Sequence, residues 1–263
     1  MSTRLSELQN ASVGLAAGAI EVTTMQSTNY LKNAKQQGMP FTMDPRKLYR
    51  GYGANLSNMG SATMLQFVVN GKVKKMISQG EDRALTTCEE ISAGFAAGFV
   101  SAFLCSPLEL VMIQQQRKGG NTVETVRAML GGGHVGRGIV GCAMREGIYS
   151  AGYLGVGPVI RKSLEQRGYG KSESAVGAAV GGGVFCCYLS HPFDTCKTCM
   201  QGDIERQTYG SLRATVGTVL RERGLPGLYS GASWRLTRQI CAVFILDQAR
   251  MLLSPIFYPD AFD

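Results

Sequence analysis

The stretch that decides the fold is HPFDTCKTCMQ at residues 191–201, which is followed by ERGLPGLYSG at residues 222–231. Pro192 is followed by Asp194 two residues on, by Lys197 five residues on and by Gln201 nine residues on. Proline inside a helix frees a backbone carbonyl and kinks the helix. Beyond such a kink, the carboxylate and the lysine are expected to meet partners on neighbouring helices.

The same pattern occurs twice more without gaps. SPLELVMIQQQ at 106–116 has Pro107, Glu109, Met112 and Gln116 at the four positions. QSTNYLKNAKQ at 26–36 is a more divergent copy, and its four residues are Ser27, Asn29, Lys32 and Gln36. A paired small-residue motif precedes each copy, as GLAAG at 14–18, GFAAG at 94–98 and AVGGG at 179–183. Such spacing is typical of closely packed helices, so the chain is predicted to contain three structural repeats.

A second long segment follows each copy and starts at a glycine, in LYRG at 48–51, GRG at 136–138 and LYSG at 228–231. The sequence therefore predicts an all-α membrane protein with six transmembrane helices, at about 8–37, 52–77, 89–117, 139–165, 173–201 and 232–254. They form one domain, 1–263, with repeats at about 6–80, 86–168 and 172–258. Apolar residues at helical spacing predict short amphipathic helices at 122–130 and 211–222, whereas the loop after Gln36 is too short for one.

Composition agrees with a membrane bundle. Apolar residues make up 44% of the chain and charged residues 17%, which excludes a disordered tail or a nucleic-acid-binding arm. The chain has only 2 histidines, and no metal or cofactor is predicted. Six ionisable residues nevertheless fall inside the long segments: Glu21, Glu109, Arg145, Asp194, Arg238 and Asp247. Such groups are costly at membrane depth, so they are expected to face a watery cavity, as in a transporter.

The repeated P-x-[DE]-x-x-[KR]-x-x-x-Q motif, followed by an aromatic, a basic residue and glycine, resembles the mitochondrial carrier family over nearly the whole chain. The resemblance implies three pseudo-symmetric helix pairs with short matrix helices around a central cavity. It also implies alternating access, no enzymatic activity or catalytic residues, and a multi-pass inner-membrane location reached without a cleaved presequence.

The resemblance also implies a gate in which the base of each odd-numbered segment pairs with the acid of the next. The implied contacts are Lys32 with Glu109, Lys197 with Asn29, and Asp194 with Met112. That leaves one ion pair, one neutral hydrogen bond and one broken contact. The bracing glutamines beneath them are Gln36, Gln116 and Gln201.

The opposite gate is weaker by the same comparison. Only LDQAR, with Asp247 and Arg250, resembles the charged motif that the family has near the end of each even-numbered segment. The corresponding stretches QFVVN at 66–70 and YLGVG at 153–157 carry no charges.

The family's substrate positions fall on the even-numbered segments, at Asn58, Arg145, Glu146, Trp234, Arg235 and Arg238. An Arg–acid dipeptide on the fourth segment resembles carriers of amino acids and related zwitterions, whereas nucleotide carriers have Gly–aliphatic there. Arg145 and Arg238 suit a carboxylate, and Glu146 suits an ammonium group. The alternative is that Arg145 and Glu146 merely pair with neighbouring residues.

Two function classes stay open. The first is exchange of a carboxylate-bearing, amino-acid-like metabolite. The second is a transport-inactive accessory subunit of a respiratory or ATP-synthase complex, which Met112, the charge-free stretches and the short first loop favour. A soluble enzyme is a third alternative. Cardiolipin is an expected partner in either membrane role, bound by backbone N–H groups near Gly51, Gly138 and Gly231.

Overall fold

The computed structural model describes residues 7–79, 83 and 85–259, and its regular structure there is helical. The helices are α1 (Glu7–Gln36), α2 (Pro45–Leu48), α3 (Tyr52–Ile77), α4 (Thr87–Lys118), α5 (Thr122–Gly131), α6 (Ile139–Ser150), α7 (Gly157–Gln166), α8 (Lys171–Gly202), α9 (Leu212–Leu228) and α10 (Ala232–Phe257). A π-helical segment, Ala151–Val156, joins α6 to α7.

The predicted long helices agree with α1, α3, α4, α8 and α10 to within a few residues, and the fourth is α6, the π segment and α7 in succession. The short helices predicted in the second and third repeats are α5 and α9, whereas the first loop contains only the four-residue α2. Within the described residues, α4, α8 and α10 are long and apolar enough to span a membrane. Spans at the other three segments stay a prediction, as do the repeat boundaries.

The long helices form a closed ring. Helix α1 packs against α3 and α10, α3 packs against α4, and α4 packs against α6. Helices α6 and α7 pack against α8, which in turn contacts α10. The C-terminal parts of α1, α4 and α8 also touch one another across the ring, which brings the three copies of the repeated motif together.

Three glycines with a left-handed backbone precede α3, α6 and α10, which begin the second, fourth and sixth long segments. Their φ angles are 75°, 79° and 81° at Gly51, Gly138 and Gly231. A Cβ atom on these glycines would lie 2.8 Å, 3.4 Å and 3.0 Å from the carbonyl oxygens of Met112, Lys197 and Lys32, respectively. Each of these helices therefore begins against the motif of the next long helix in the ring, which is α4, α8 and α1, respectively. The contact falls at the position of the base in that motif.

The prolines of the motif lie inside helices that continue past them. Pro107 is inside α4 and Pro192 inside α8. Ser27, the equivalent residue of the first copy, lies within α1. Their role as kinks stays a prediction.

Small residues bring α4 and α6 into backbone contact. A Cβ atom on Gly98 would lie only 2.1 Å from the carbonyl oxygen of Glu146, and one on Gly94 would lie 3.0 Å from that of Ser150. Side chains at these two positions would therefore push the helices apart, which explains the small-residue motif at 94–98.

We expect Gly98→Ala to lower the free energy of unfolding by about 1–3 kcal/mol, because the new methyl group overlaps a backbone atom that cannot rotate away. Gly71→Ala is the matched control: Gly71 lies inside α3, and apart from the neighbouring backbone of its own helix no described heavy atom lies within 4 Å of its would-be Cβ. That control should be neutral or stabilising by up to about 1 kcal/mol. Thermal unfolding of the detergent-solubilised variants measures both, and equal effects would contradict close α4–α6 packing.

Candidate functional site

Buried ion pairs link the three helices that carry the repeated motif, α1, α4 and α8, where they meet. These helices are the first, third and fifth long segments, and we call them the odd-numbered helices. The Nζ atom of Lys32 on α1 lies 2.8 Å from Oδ2 of Asp194 on α8. The Nζ atom of Lys197 on α8 lies 2.8 Å from Oε2 of Glu109 on α4 and 3.7 Å from Oδ1 of Asp194. All four side chains are buried. With Arg145 and Glu146, described below, they form what we call the gate cluster.

The predicted direction of pairing is wrong. Each base contacts the acid of the preceding odd-numbered helix around the ring, not the next, so Asp194 has a base and is not isolated. The acid and base of one motif are three residues apart, or about 300° of helical rotation, and so point towards different neighbours. Which neighbouring helix the acid meets and which the base meets depends on the handedness of the ring. The spacing of residues in the motif carries no information on that handedness.

The third contact between motifs joins Asn29, which replaces an acid, to Met112, which replaces a base. Asn29 Nδ2 on α1 donates a hydrogen bond to Met112 Sδ on α4, with a distance of 3.4 Å. The three contacts between motifs are therefore two base–acid pairs and one neutral hydrogen bond, whereas the resemblance implied one ion pair, one neutral hydrogen bond and one broken contact. Met112 does not leave an acid unpaired, because the residue opposite it is Asn29.

The three predicted bracing glutamines are all buried but have different partners. Gln36 Nε2 donates to Asp194 Oδ2 at 2.8 Å, so it supports the Lys32–Asp194 pair directly. Gln116 Oε1 accepts a hydrogen bond from Asn33 Nδ2 at 2.8 Å. Gln201 Nε2 donates to the backbone oxygen and the hydroxyl of Ser106, both at 3.3 Å. Of these three glutamines, only Gln36 bonds to an ion pair among the described contacts.

Arg145 extends the gate cluster to α6, which lies between α4 and α8 in the ring. Its Nη2 donates to Glu109 Oε1 at 2.6 Å and to the carboxylate of Glu146. Glu146 also accepts a hydrogen bond from Gln66 Nε2 at 3.0 Å. Arg145 and Glu146 thus pair with neighbouring residues in this structure. The six charges of the cluster, three positive and three negative, sum to zero.

Arg238 also has a carboxylate partner, which the sequence analysis did not identify. The Nη2 atom of Arg238 lies 3.2 Å from Oε1 of Glu21 on α1, and the Glu21 side chain is buried. Glu21 stood out as an ionisable residue in an apolar segment. No motif linked it to Arg238, because the two residues are far apart in the sequence.

Arg235 differs from the other two predicted arginines. Its Nη2 donates to Ser190 Oγ at 2.9 Å and its Nη1 to the Cys187 carbonyl oxygen at 3.4 Å. Its guanidinium carbon lies 6.0 Å from the ring centroid of Tyr149. It forms no ion pair with any carboxylate in the described part of the chain. Its direct contacts are thus with neutral groups, and its charge interacts with the Asp194 carboxylate only at longer range.

The two remaining predicted substrate residues have different surroundings. Trp234 packs against the apolar cluster of Tyr30, Leu31, Ala34 and Leu48. The Oδ1 atom of Asn58 is buried and has no hydrogen-bond partner among the described residues. Asn58 therefore has an acceptor to offer a ligand, whereas Trp234 is part of the protein's own packing.

Neutral groups link α3 to the π segment at the stretches that lack the family's charges. Tyr153 Oη donates to Gln66 Oε1 at 2.8 Å, and each residue is the first of its charge-free stretch. The side chain of Asp247 lies outside the described part of the structure. Arg250 is exposed on α10, and its Nη2 would lie 3.2 Å from a Cβ atom on Gly14.

The loop after α8 is fixed by Arg137 and Asp203. The Arg137 guanidinium donates to the carbonyl oxygens of Met200 at 3.0 Å and of Gly210 at 2.7 Å. The Asp203 carboxylate accepts backbone N–H bonds from residues 207–209 at 3.1, 2.8 and 2.8 Å. Burial opposes ionisation of this carboxyl, but the N–H donors outweigh it and the pKa of Asp203 is below its usual range.

Comparisons with known proteins point in one direction. A family profile described as "Mitochondrial carrier protein" matches residues 172–251. The chain is 23% identical over 266 aligned positions to the mitochondrial aspartate-glutamate transporter of Saccharomyces cerevisiae, with 88% of this chain but only 29% of that protein covered. It is 27% identical to a probable mitochondrial 2-oxodicarboxylate carrier of Schizosaccharomyces pombe, with 83% of each covered. It is also 24% identical to a mitochondrial glycine transporter of S. cerevisiae, with 70% of this chain and 66% of that protein covered.

We expect Asp194→Asn to lower the free energy of unfolding by about 3–5 kcal/mol, because it leaves the buried ammonium of Lys32 without its carboxylate. Glu205→Gln is the matched control, because Glu205 lies 3.8 Å from Lys118 and both side chains are more than half exposed. The control should stay within about 0.5 kcal/mol of the unchanged protein. Chemical unfolding in detergent measures both, and a comparably small effect of Asp194→Asn would contradict a buried, paired acid.

Proposed function

Because this chain belongs to the mitochondrial carrier family, whose members are transporters and not enzymes, we propose that it exchanges a carboxylate-bearing small metabolite across the mitochondrial inner membrane by alternating access. The relatives above are named for aspartate and glutamate, for 2-oxodicarboxylates and for glycine, and all of these solutes carry a carboxylate. An amino-acid-like solute fits both these names and the Arg145–Glu146 dipeptide.

Arg235 carries this proposal. A buried or half-buried cation is costly unless an anion compensates it, and no described carboxylate forms an ion pair with Arg235. The Asp194 carboxylate interacts with Arg235 only at longer range and is already paired with Lys32. The gate cluster is neutral in itself, and Arg238 is paired with Glu21. Arg235 therefore leaves one positive charge uncompensated in this part of the ring. A solute carboxylate would supply the compensating negative charge, in the forked geometry that guanidinium groups favour.

The other predicted contacts have secondary roles in this proposal. The Arg238 side chain is 31% exposed, so it is able to turn from Glu21 to a second carboxylate oxygen. The unpartnered Oδ1 atom of Asn58 would accept a hydrogen bond from the solute's ammonium group. Arg145 and Glu146 would contact the solute only when the gate cluster rearranges, because their charges are paired in the closed cluster.

The gate cluster would act as the barrier of alternating access. Its ion pairs tie α1 to α8 and α8 to α4, so this end of the ring opens only when they separate. Gln66, which also donates to Glu146 of the gate cluster, accepts a neutral hydrogen bond from Tyr153 that would separate more readily than an ion pair. Solute binding would lower the barrier if the open arrangement offers the solute better contacts than the closed one.

Cardiolipin remains a proposed lipid partner. Gly51, Gly138 and Gly231 begin their helices with no side-chain cap, which leaves backbone N–H groups for a phosphate.

The transport-inactive alternative has less support than the sequence suggested. Met112 seemed to break the gate, but it faces Asn29 and leaves no acid without a base. The charge-free stretches on α3 and the π segment and the short first loop still favour an accessory subunit of a respiratory or ATP-synthase complex.

We expect Arg235→Gln to reduce exchange of carboxylate solutes in liposomes by at least about 100-fold, because a charged hydrogen bond at the solute's carboxylate is lost. The assay uses purified protein with aspartate, glutamate, glycine and 2-oxodicarboxylates as solutes. Arg161→Gln is the matched control, because Arg161 is half exposed on α7 and pairs with Glu165 four residues on. The control should retain exchange within about twofold.

Exchange that survives Arg235→Gln would contradict the assignment of Arg235 as the anchor. Absence of exchange by the unchanged protein, together with its co-purification at fixed stoichiometry with a respiratory or ATP-synthase complex, would overturn the transport proposal in favour of the accessory role.

A further inference from the structure

The three odd-numbered helices meet at three seams, and the polar contacts of one seam differ from those of the other two. The α1–α8 seam has the Lys32–Asp194 ion pair, and the α4–α8 seam has the Lys197–Glu109 pair. At the α1–α4 seam, the equivalent contact joins Asn29 to Met112 and carries no charge.

The change at the α1–α4 seam is reciprocal. Asn29 stands where the other two motifs have an acid, and Met112 stands where the other two have a base. A charge kept on one side alone would be buried without a partner, which is strongly unfavourable. Loss of both charges avoids that cost but leaves only a weak hydrogen bond to a thioether, 3.4 Å long.

A neutral bond one helical turn further on supports the same seam. Asn33 Nδ2 donates to Gln116 Oε1 at 2.8 Å, and both side chains are buried. The residues equivalent to Asn33 in the other two motifs are Ile113 and Thr198, neither of which has an amide. The amide pair is thus specific to the seam that lacks an ion pair, and the whole α1–α4 seam is held by neutral groups.

We propose that Asn29 and Met112 are positioning residues that make α1–α4 the seam that separates most easily, and that they set how often this end of the ring opens. Hydrogen bonds between charged groups are roughly twice as strong as neutral ones, and a low-dielectric site strengthens them further. Introducing an ion pair at this seam should therefore hold the end closed. The proposal goes beyond the proposed function, because it holds whichever solute is carried.

Cys142 provides a reporter of opening that needs no solute. Its thiol donates to Glu109 Oε2 at 3.2 Å, inside the gate cluster, and it is fully buried. A small water-soluble thiol reagent reaches it only when the cluster opens. Cys88 is exposed at the start of α4 and serves as the internal control. Mass spectrometry of the digested protein gives the modification rate at each cysteine separately.

The test variant is Asn29→Asp combined with Met112→Lys, in the full chain. We expect Cys142 to be modified at least about tenfold more slowly than in the unchanged protein, with the Cys88 rate unchanged. Each substitution alone leaves an uncompensated charge, so Cys142 should react at least about tenfold faster in either single variant than in the double variant. The unfolding temperature of the double variant should exceed that of both single variants.

A second variant introduces no charge and so tests the same seam if the charged variants do not fold. Gln116→Leu removes one amide of the pair and leaves the Nδ2 atom of the buried Asn33 without its acceptor, which weakens the seam. We expect Cys142 to be modified several-fold faster, again with Cys88 unchanged.

A Cys142 rate that stays at the original value in a stable double variant would overturn the proposal, because the seam would then be structural and would not control opening. An unchanged Cys142 rate in the leucine variant would overturn it as well. Slowed modification in the double variant of a protein that shows no solute exchange would support this proposal while contradicting only the proposed function.

Discussion

The structure depends on the need to pair charges that apolar helices bury. Lys32, Glu109, Asp194 and Lys197 are acceptable inside the ring only because each lies against an opposite charge on another helix. Each pair thus ties two helices that are distant in sequence. The small glycines at the helix starts then allow the neighbouring helices to approach the same residues closely. The closed end of the ring is therefore held by electrostatics and by backbone packing at the same positions.

The sequence predicted the helices well, but not which charges meet. Glycines at 51, 138 and 231 and the repeated motif mark where the helices begin and end, so their bounds are local properties of the chain. The partner of a charged residue is not local. The Lys32–Asp194 pair depends on the order and handedness of helices around the ring, and the Arg238–Glu21 pair joins α10 to α1. The π segment at 151–156 was likewise not predicted, because no residue pattern in that stretch distinguished it from an α-helix.

The departures from the repeated motif become more consistent once they are considered in pairs. Considered alone, Asn29 and Met112 look like separate losses in a decaying gate. Placed opposite each other, they are one neutral contact that leaves the remaining charges balanced. Gln66 and Tyr153 likewise connect two charge-free stretches through a neutral hydrogen bond. At both places, some charge pairing is thus replaced by neutral bonding.

Arg235 also connects the proposed solute site to the gate. Its Nη2 bonds to Ser190 Oγ on α8, and Asp194 lies four residues further along the same helix, about one turn away. A solute carboxylate that took over this Nη2 hydrogen bond would release Ser190 and add negative charge near Asp194. Because Asp194 is held by Lys32, Lys197 and Arg145, an added anion nearby would compete for the same cations. Binding at Arg235 would therefore weaken the pairs that keep the ring closed, as exchange by alternating access requires of its solute.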